Sequence, residues 1–95
     1  LSADRVEPIL SRITICETET EAAAKADFIT EAVKEDLAVK QELFARLEAV
    51  VAPTAILASN SSTFPISQSG SRLKHPERAV VTHWFNPPHI VPLVE

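Results

Sequence analysis

Methionine is absent from these 95 residues, and glycine and cysteine occur once each. Without a methionine, residue 1 is no initiator, and the chain stops inside an apolar run, so the sequence reads as an internal piece of a longer protein. The lone glycine, Gly70, stands where an ordinary domain would carry about 7%. A glycine-rich phosphate loop is therefore excluded from this stretch. Cys16, in the apolar run ITIC, has no partner for an internal disulfide, which fits a reducing compartment, cytosol or mitochondrial matrix. No apolar run approaches the ~20 residues of a membrane span, and LSADRVEP lacks both regions of a signal peptide, so no entry into a membrane is expected. Nine basic residues lie scattered among thirteen acids, for a formal charge of -4, and this argues against a nucleic-acid partner.

What is present describes one small globular unit at the short end of stable domains: 45% hydrophobic and 23% charged. Residues 1–11 read as the tail of a polar helix broken or kinked at Pro8. RITIC (12–16) predicts a short strand, TETEAAAKA (18–26) a helix with acids at its start, and DFIT (27–30) a brief buried strand. From Glu35, apolar Leu37, Phe44, Leu47 and Val51 recur at helical spacing with Lys40, Glu42, Arg46 and Glu48 between them, the strongest helix signal in the chain. Pro53 ends it. AILAS (55–59) has the continuous apolar character of a buried parallel strand. A polar cluster, Asn60 to Thr63, leads into a short helix over 65–71, and RAVVTHWF (78–85) and IVPLVE (90–95) predict two further strands.

Strands alternating with helices indicate β-α-β units and a parallel sheet. Ligands of such sheets bind beyond the carboxyl ends of the strands. Two places qualify, Asn60 to Ser62 after AILAS and His83 to Asn86 after AVVT, and they face one another if their strands are neighbours.

The run ITEAVKEDLAVKQELFARLEAVVAPTAILASNSS, followed by THWFNPPHIVPLVE, resembles the second half of the NAD-binding domain of the L-3-hydroxyacyl-CoA dehydrogenase family. That family also includes lambda-crystallin, gulonate dehydrogenase and carnitine dehydrogenase. The likeness covers roughly residues 12–95 and rests on three spaced motifs: EAVxED, ASNSS and HxFNPxxxxPLVE. It implies a fragment of a Rossmann-type, doubly wound parallel sheet, with residues 1–95 forming the carboxyl-terminal half of the NAD-binding domain. The GxGxxG half and the helical carboxyl-terminal domain, which carries most of the dimer contact, lie elsewhere in a parent expected to be a homodimer.

By the same resemblance the catalytic base falls on His83, its partner carboxylate on Glu95 and the substrate-contacting serine on Ser62. NAD contacts fall on Glu35, Lys40, Asn86 and again Ser62, with Asn60 beside the nicotinamide. The chemistry is coherent. Oxidising a secondary alcohol needs a base for the hydroxyl proton, an imidazole titrates near neutrality, and a carboxylate on its other nitrogen fixes the tautomer. The implied reaction is NAD-dependent oxidation of a (S)-3-hydroxyacyl-CoA to the 3-oxoacyl-CoA in fatty-acid β-oxidation, which alone this stretch should not perform. Acyl-CoA members usually read HFFNPVP, whereas Trp84, Pro88 and His89 make HWFNPPHI here, a form closer to members acting on small free hydroxy acids or ring-borne alcohols.

Blander readings stand beside these. Asn60-Ser61-Ser62 matches a glycosylation sequon, idle without a secretory signal. Cys16, His75, His83 and His89 fit no metal-ligand spacing. His89 lines a pocket or merely sits on the turn. A crystallin-like structural protein or a small α/β interaction domain would need none of His83, Glu95 and Ser62 together.

Overall fold

Three short strand-forming runs, FITE, ILAS and AVV, set this architecture. The computed structural model describes residues 2–95. In chain order the elements are α1 (Ala3–Leu10), α2 (Glu19–Ala23), β1 (Phe28–Glu31), α3 (Leu37–Val50), β2 (Ile56–Ser59), α4 (Ile66–Ser69), a 3-10 turn (Pro76–Arg78) and β3 (Ala79–Val81). The strands form one wholly parallel sheet in the order β1-β2-β3, a Rossmann-type α/β arrangement as expected. Parallel neighbours require crossovers, and strands added successively in one direction by right-handed crossovers put their helices on one face. Accordingly α3 packs against both α2 and α4.

Register decides what those helices meet. Ile29, Leu57 and Ala79 align across the three strands. They pack against Leu43, Phe44 and Leu47 of α3, with Ala23 and Leu73 closing the core. Phe28, Ile56 and Val80 belong to the opposite pleat and are 50%, 42% and 41% exposed. Two residues beyond Ile29 and Leu57, the period of two returns the helix-facing side to Glu31 and Ser59.

Local signals start and stop the elements. The Thr18 hydroxyl accepts from the Glu21 N–H at 3.1 Å, and an Asp36 carboxylate oxygen accepts from the Val39 N–H at 3.2 Å, each capping a helix start. Arg46 forks onto Glu19 at 2.8 and 3.1 Å, tying α3 to α2 at the surface. Gln41 donates to the Gln68 carbonyl and the Ser71 hydroxyl, both at 3.0 Å, holding α4 in place. The sole glycine, Gly70, is buried after α4, where a Cβ would come within 3.1 Å of the Ile66 carbonyl oxygen and of Leu73.

Several expectations shift. Residues 12–16 form no strand: the Arg12 and Ile13 N–H groups turn back to the carbonyls of Ile9 and Leu10, and Ile15 is 94% exposed. A strand needs a neighbour, and among the described residues this one has none. Pro8 does not break α1, which continues to Leu10 and ends where the Ser11 hydroxyl donates to the Pro8 carbonyl at 2.8 Å. The helix predicted over 65–71 is one turn. The strand predicted over 78–85 stops at Val81, since β2 offers it no further ladder beyond the Ser59 carbonyl, which takes the Thr82 N–H at 2.9 Å. IVPLVE is not a strand either: the Ile90 and Val91 N–H groups fold back on the Pro87 carbonyl, Pro92 has no N–H, and what the described residues retain is an antiparallel bridge of Val94 to Trp84 with the backbone bonds of Glu95 to His83.

Two outcomes follow. Phe44 is fully buried, so Phe44→Ala is expected to destabilise the fold by about 3–5 kcal/mol, read from urea unfolding. Burial pushes the Glu48 carboxyl up, but the Lys74 and His75 N–H groups bonded to it and nearby positive charge hold it below its ordinary 4.5. A carboxyl depressed on folding stabilises above its unfolded value and loses that contribution as pH falls through the folded one. Urea midpoints taken downward from about pH 7 should therefore fall more steeply for the wild type than for Glu48→Gln.

Candidate active site

Because β2 and β3 are neighbours, the loops leaving their carboxyl ends meet. The Trp84 N–H donates to Asn60 Oδ1 at 3.1 Å, joining the two polar clusters directly. Beside this bond opens a cleft of about 390 Å³ bounded by Asn60, Ser62, His83, Trp84, Asn86 and Pro88. Four of the sequence-predicted site residues, Asn60, Ser62, His83 and Asn86, thus share one cavity. Ser62 also borders an adjoining hollow of about 400 Å³, whose wall includes Ser61, Phe64 and Glu95.

His83 and Glu95 exchange both backbone hydrogen bonds: the His83 N–H to the Glu95 carbonyl at 2.7 Å, and the Glu95 N–H to the His83 carbonyl at 2.9 Å. Residues paired this way stand opposite each other, about 5.5 Å apart at Cα, with side chains on the same face. Among the described residues no side-chain hydrogen bond or ion pair joins the two. The imidazole, half-buried, meets the Phe85 ring edge-on with centroids 4.9 Å apart.

Glu35 and Lys40 lie one strand over, in a cluster that sequence reasoning saw only in part. Lys40 is 1% exposed, and its Nζ lies 2.5 Å from Glu31 Oε2 and 3.1 Å from Glu35 Oε1. Glu31 also accepts from the Ser59 hydroxyl at 2.5 Å and from the Val33 N–H at 2.8 Å. Ser61 donates to Glu35 at 3.1 Å and accepts from the N–H groups of Thr63 and Phe64 at 3.3 and 3.0 Å. Glu31, Ser59 and Ser61 were not singled out from sequence. The signal was there: Lys40 interrupts the apolar stripe Leu37, Phe44, Leu47 at its own spacing, and Glu31 falls on the same pleat as core Ile29.

Burial pushes the Lys40 ammonium down, yet its bonds to Glu31 and Glu35 and their charges raise it above the ordinary 10.5. Burial pushes Glu35 up, and Lys40, the Ser61 hydroxyl and the Ser62 backbone N–H bring it below the ordinary 4.5. A raised lysine keeps its contribution until pH climbs through its folded value, and a lowered carboxylate keeps its own until pH falls through its folded value. The pair is accordingly intact across the whole interval from 4.5 to 10.5.

The cleft suits one end of a dinucleotide. The side-chain amides of Asn60 and Asn86 offer both donors and acceptors, matching a carboxamide such as that of nicotinamide. Among the described residues no lysine or arginine borders the cleft, and the nearby Lys40 is paired with two carboxylates. Among them, no three His, Cys, Asp or Glu side chains cluster so as to hold a metal ion.

The family model described as "3-hydroxyacyl-CoA dehydrogenase, NAD binding domain" matches residues 1–95. The chain is 40% identical over 84 residues to an L-carnitine dehydrogenase of Streptomyces coelicolor, covering 88% of this chain and 26% of that protein. It is 40% identical over 95 residues to a 3-hydroxyadipyl-CoA dehydrogenase of Escherichia coli, covering all of this chain and 20% of that one. Its fold is similar to the crystal structure of an Escherichia coli 3-hydroxybutyryl-CoA dehydrogenase, with TM-score 0.91 and 37% identity over 99% of this chain and 20% of that one. The chain spans about a quarter of the length of the carnitine dehydrogenases it matches.

Lys40→Met would leave the Glu31 carboxylate buried without a counter-charge. It is expected to cost about 3–5 kcal/mol, read from chemical unfolding, with most of the loss recovered when Glu31→Leu is added.

Proposed function

The chain belongs to the 3-hydroxyacyl-CoA dehydrogenase family, its residues 1–95 matching the family's NAD-binding domain, and on that premise we propose that it is the second half of that domain in a longer enzyme oxidising a secondary alcohol. The observation that carries this reading is the doubly bonded His83–Glu95 pair at the rim of a cleft shared by Asn60, Ser62 and Asn86. NAD, when bound, supplies the hydride acceptor. His83 takes the hydroxyl proton on its free ring nitrogen. Glu95, paired with His83 through the backbone, accepts from the other ring nitrogen, where it orients the ring and stabilises the imidazolium. Ser62 donates to the substrate oxygen as carbonyl character develops, and in the reverse direction His83 returns the proton. Asn60 and Asn86 hold the nicotinamide side, and Glu35, its side chain 38% exposed, faces the cofactor with Lys40 behind it.

A 3-hydroxyacyl-CoA is the first-choice substrate, since relatives named for acyl-CoA substrates match all of this chain or nearly so. A small free hydroxy acid is the second. It is favoured by the HWFNPPHI form of the motif, whose Trp84 and Pro88 line the cleft, and by the likeness to carnitine dehydrogenases.

NADH consumption by the full-length protein with acetoacetyl-CoA tests the first reading. His83→Ala is expected to slow it by roughly 10²- to 10⁴-fold, the usual worth of a positioned general base. Inert acetoacetyl-CoA with intact NADH binding transfers the assignment to the small hydroxy acid, for which L-carnitine oxidation is the assay.

A further inference from the structure

We infer that Glu31 is a positioning residue of the candidate active site: its buried carboxylate fixes the Lys40 ammonium, Lys40 fixes Glu35, and Glu35 fixes Ser61 and the loop that carries Ser62. The inference rests on the reading of Glu35 as a cofactor contact and Ser62 as a substrate contact. The links form an unbroken series graded from the core to solvent. Glu31 and Lys40 have side chains 0% and 1% exposed, Glu35 is 38% exposed, and Ser62 lies open at the cleft. Each link is short: 2.5 Å from Lys40 to Glu31, 3.1 Å to Glu35, and 3.1 Å from Ser61 to Glu35. Ser61 then accepts from the N–H groups of Thr63 and Phe64, which flank the turn just past Ser62.

Two features set this apart from ordinary packing. Glu31 is saturated from three separate elements: Ser59 from β2, Lys40 from α3 and the Val33 N–H from the loop leaving β1. Its carboxylate can therefore neither rotate nor drift without breaking a bond. An apolar trio of the same volume would stabilise the sheet end as well or better, so what the ions add is a defined geometry. Lys40 is also too deeply enclosed to touch a ligand in the cleft. It acts on the cofactor side through the aim of Glu35, and the same Glu35 holds the substrate-side loop, so the two halves of the site share one anchor.

The test uses the full-length protein with Glu31→Gln, which keeps the volume and removes the charge. Two quantities are read: hydrogen exchange at the Thr63 and Phe64 amides, and KM for NADH against kcat. The expected result is about tenfold faster exchange at those two amides, unchanged protection of the Phe44 and Leu57 amides, and a KM for NADH raised about tenfold with a smaller change in kcat. Uniform loss of protection across the core with an unaltered KM would mean that Glu31 is merely structural and would overturn the inference. Should Glu31→Gln fail to fold, Glu35→Ala cuts the same series at its exposed link. Faster exchange at Thr63 and Phe64 then supports the relay, and wild-type exchange overturns it. If the wild-type protein binds no NADH, the functional reading fails on its own account, while the exchange rates still decide whether Glu31 positions the loop.

Discussion

Because β2 is paired in parallel on both sides, whatever follows Ser59 and whatever follows Val81 must emerge at the same edge of the sheet. The rest of the molecule depends on that constraint. Leu57 carries the core layer, Ser59 reaches into the buried ions, and Asn60 to Ser62 turn outward within reach of the chain leaving β3. A strand of four residues thus serves as core, anchor and platform in succession, and the order of those duties is its sequence order. Shifting its register by one would exchange the core and solvent faces and dismantle all three together.

Much of this was visible in the residues, and for identifiable reasons. Helix α3 announced itself because Leu37, Phe44 and Leu47 keep a helical period over about three turns, and AILAS because a central parallel strand reads as a near-continuous apolar run. The cleft residues were legible because parallel sheets place ligands at strand ends and because His83, Asn86, Asn60 and Ser62 stand immediately after two such runs. RITIC and IVPLVE misled because β-branched residues report a preference for a pleated surface, while a strand also requires a partner. Those partners are determined by distant chain, which local composition does not record. Proline at position 8 misled in the other direction, since α1 is short enough to close its last turn beyond it.

The buried ions escaped notice for a different reason. Charged residues on an amphipathic helix are ordinarily solvated, and only the coincidence of a lysine in the apolar stripe with an acid on the core-facing pleat of a strand marks the exception. Neither residue is informative by itself. Their pairing is a three-dimensional fact that two one-dimensional periodicities, 3.6 on α3 and 2 on β1, jointly encode. The substrate side is harder still: Trp84 and Pro88 shape the mouth of the cleft, yet a wall excludes shapes and does not name the molecule that enters.

The pleat formed by Phe28, Ile56 and Val80 faces away from α2, α3 and α4 and stays largely open, and β1 presents one unpaired edge. An apolar stripe beside a row of free backbone donors and acceptors is a template for self-association. Expressed by itself, this stretch therefore carries a surface on which a further strand could pair.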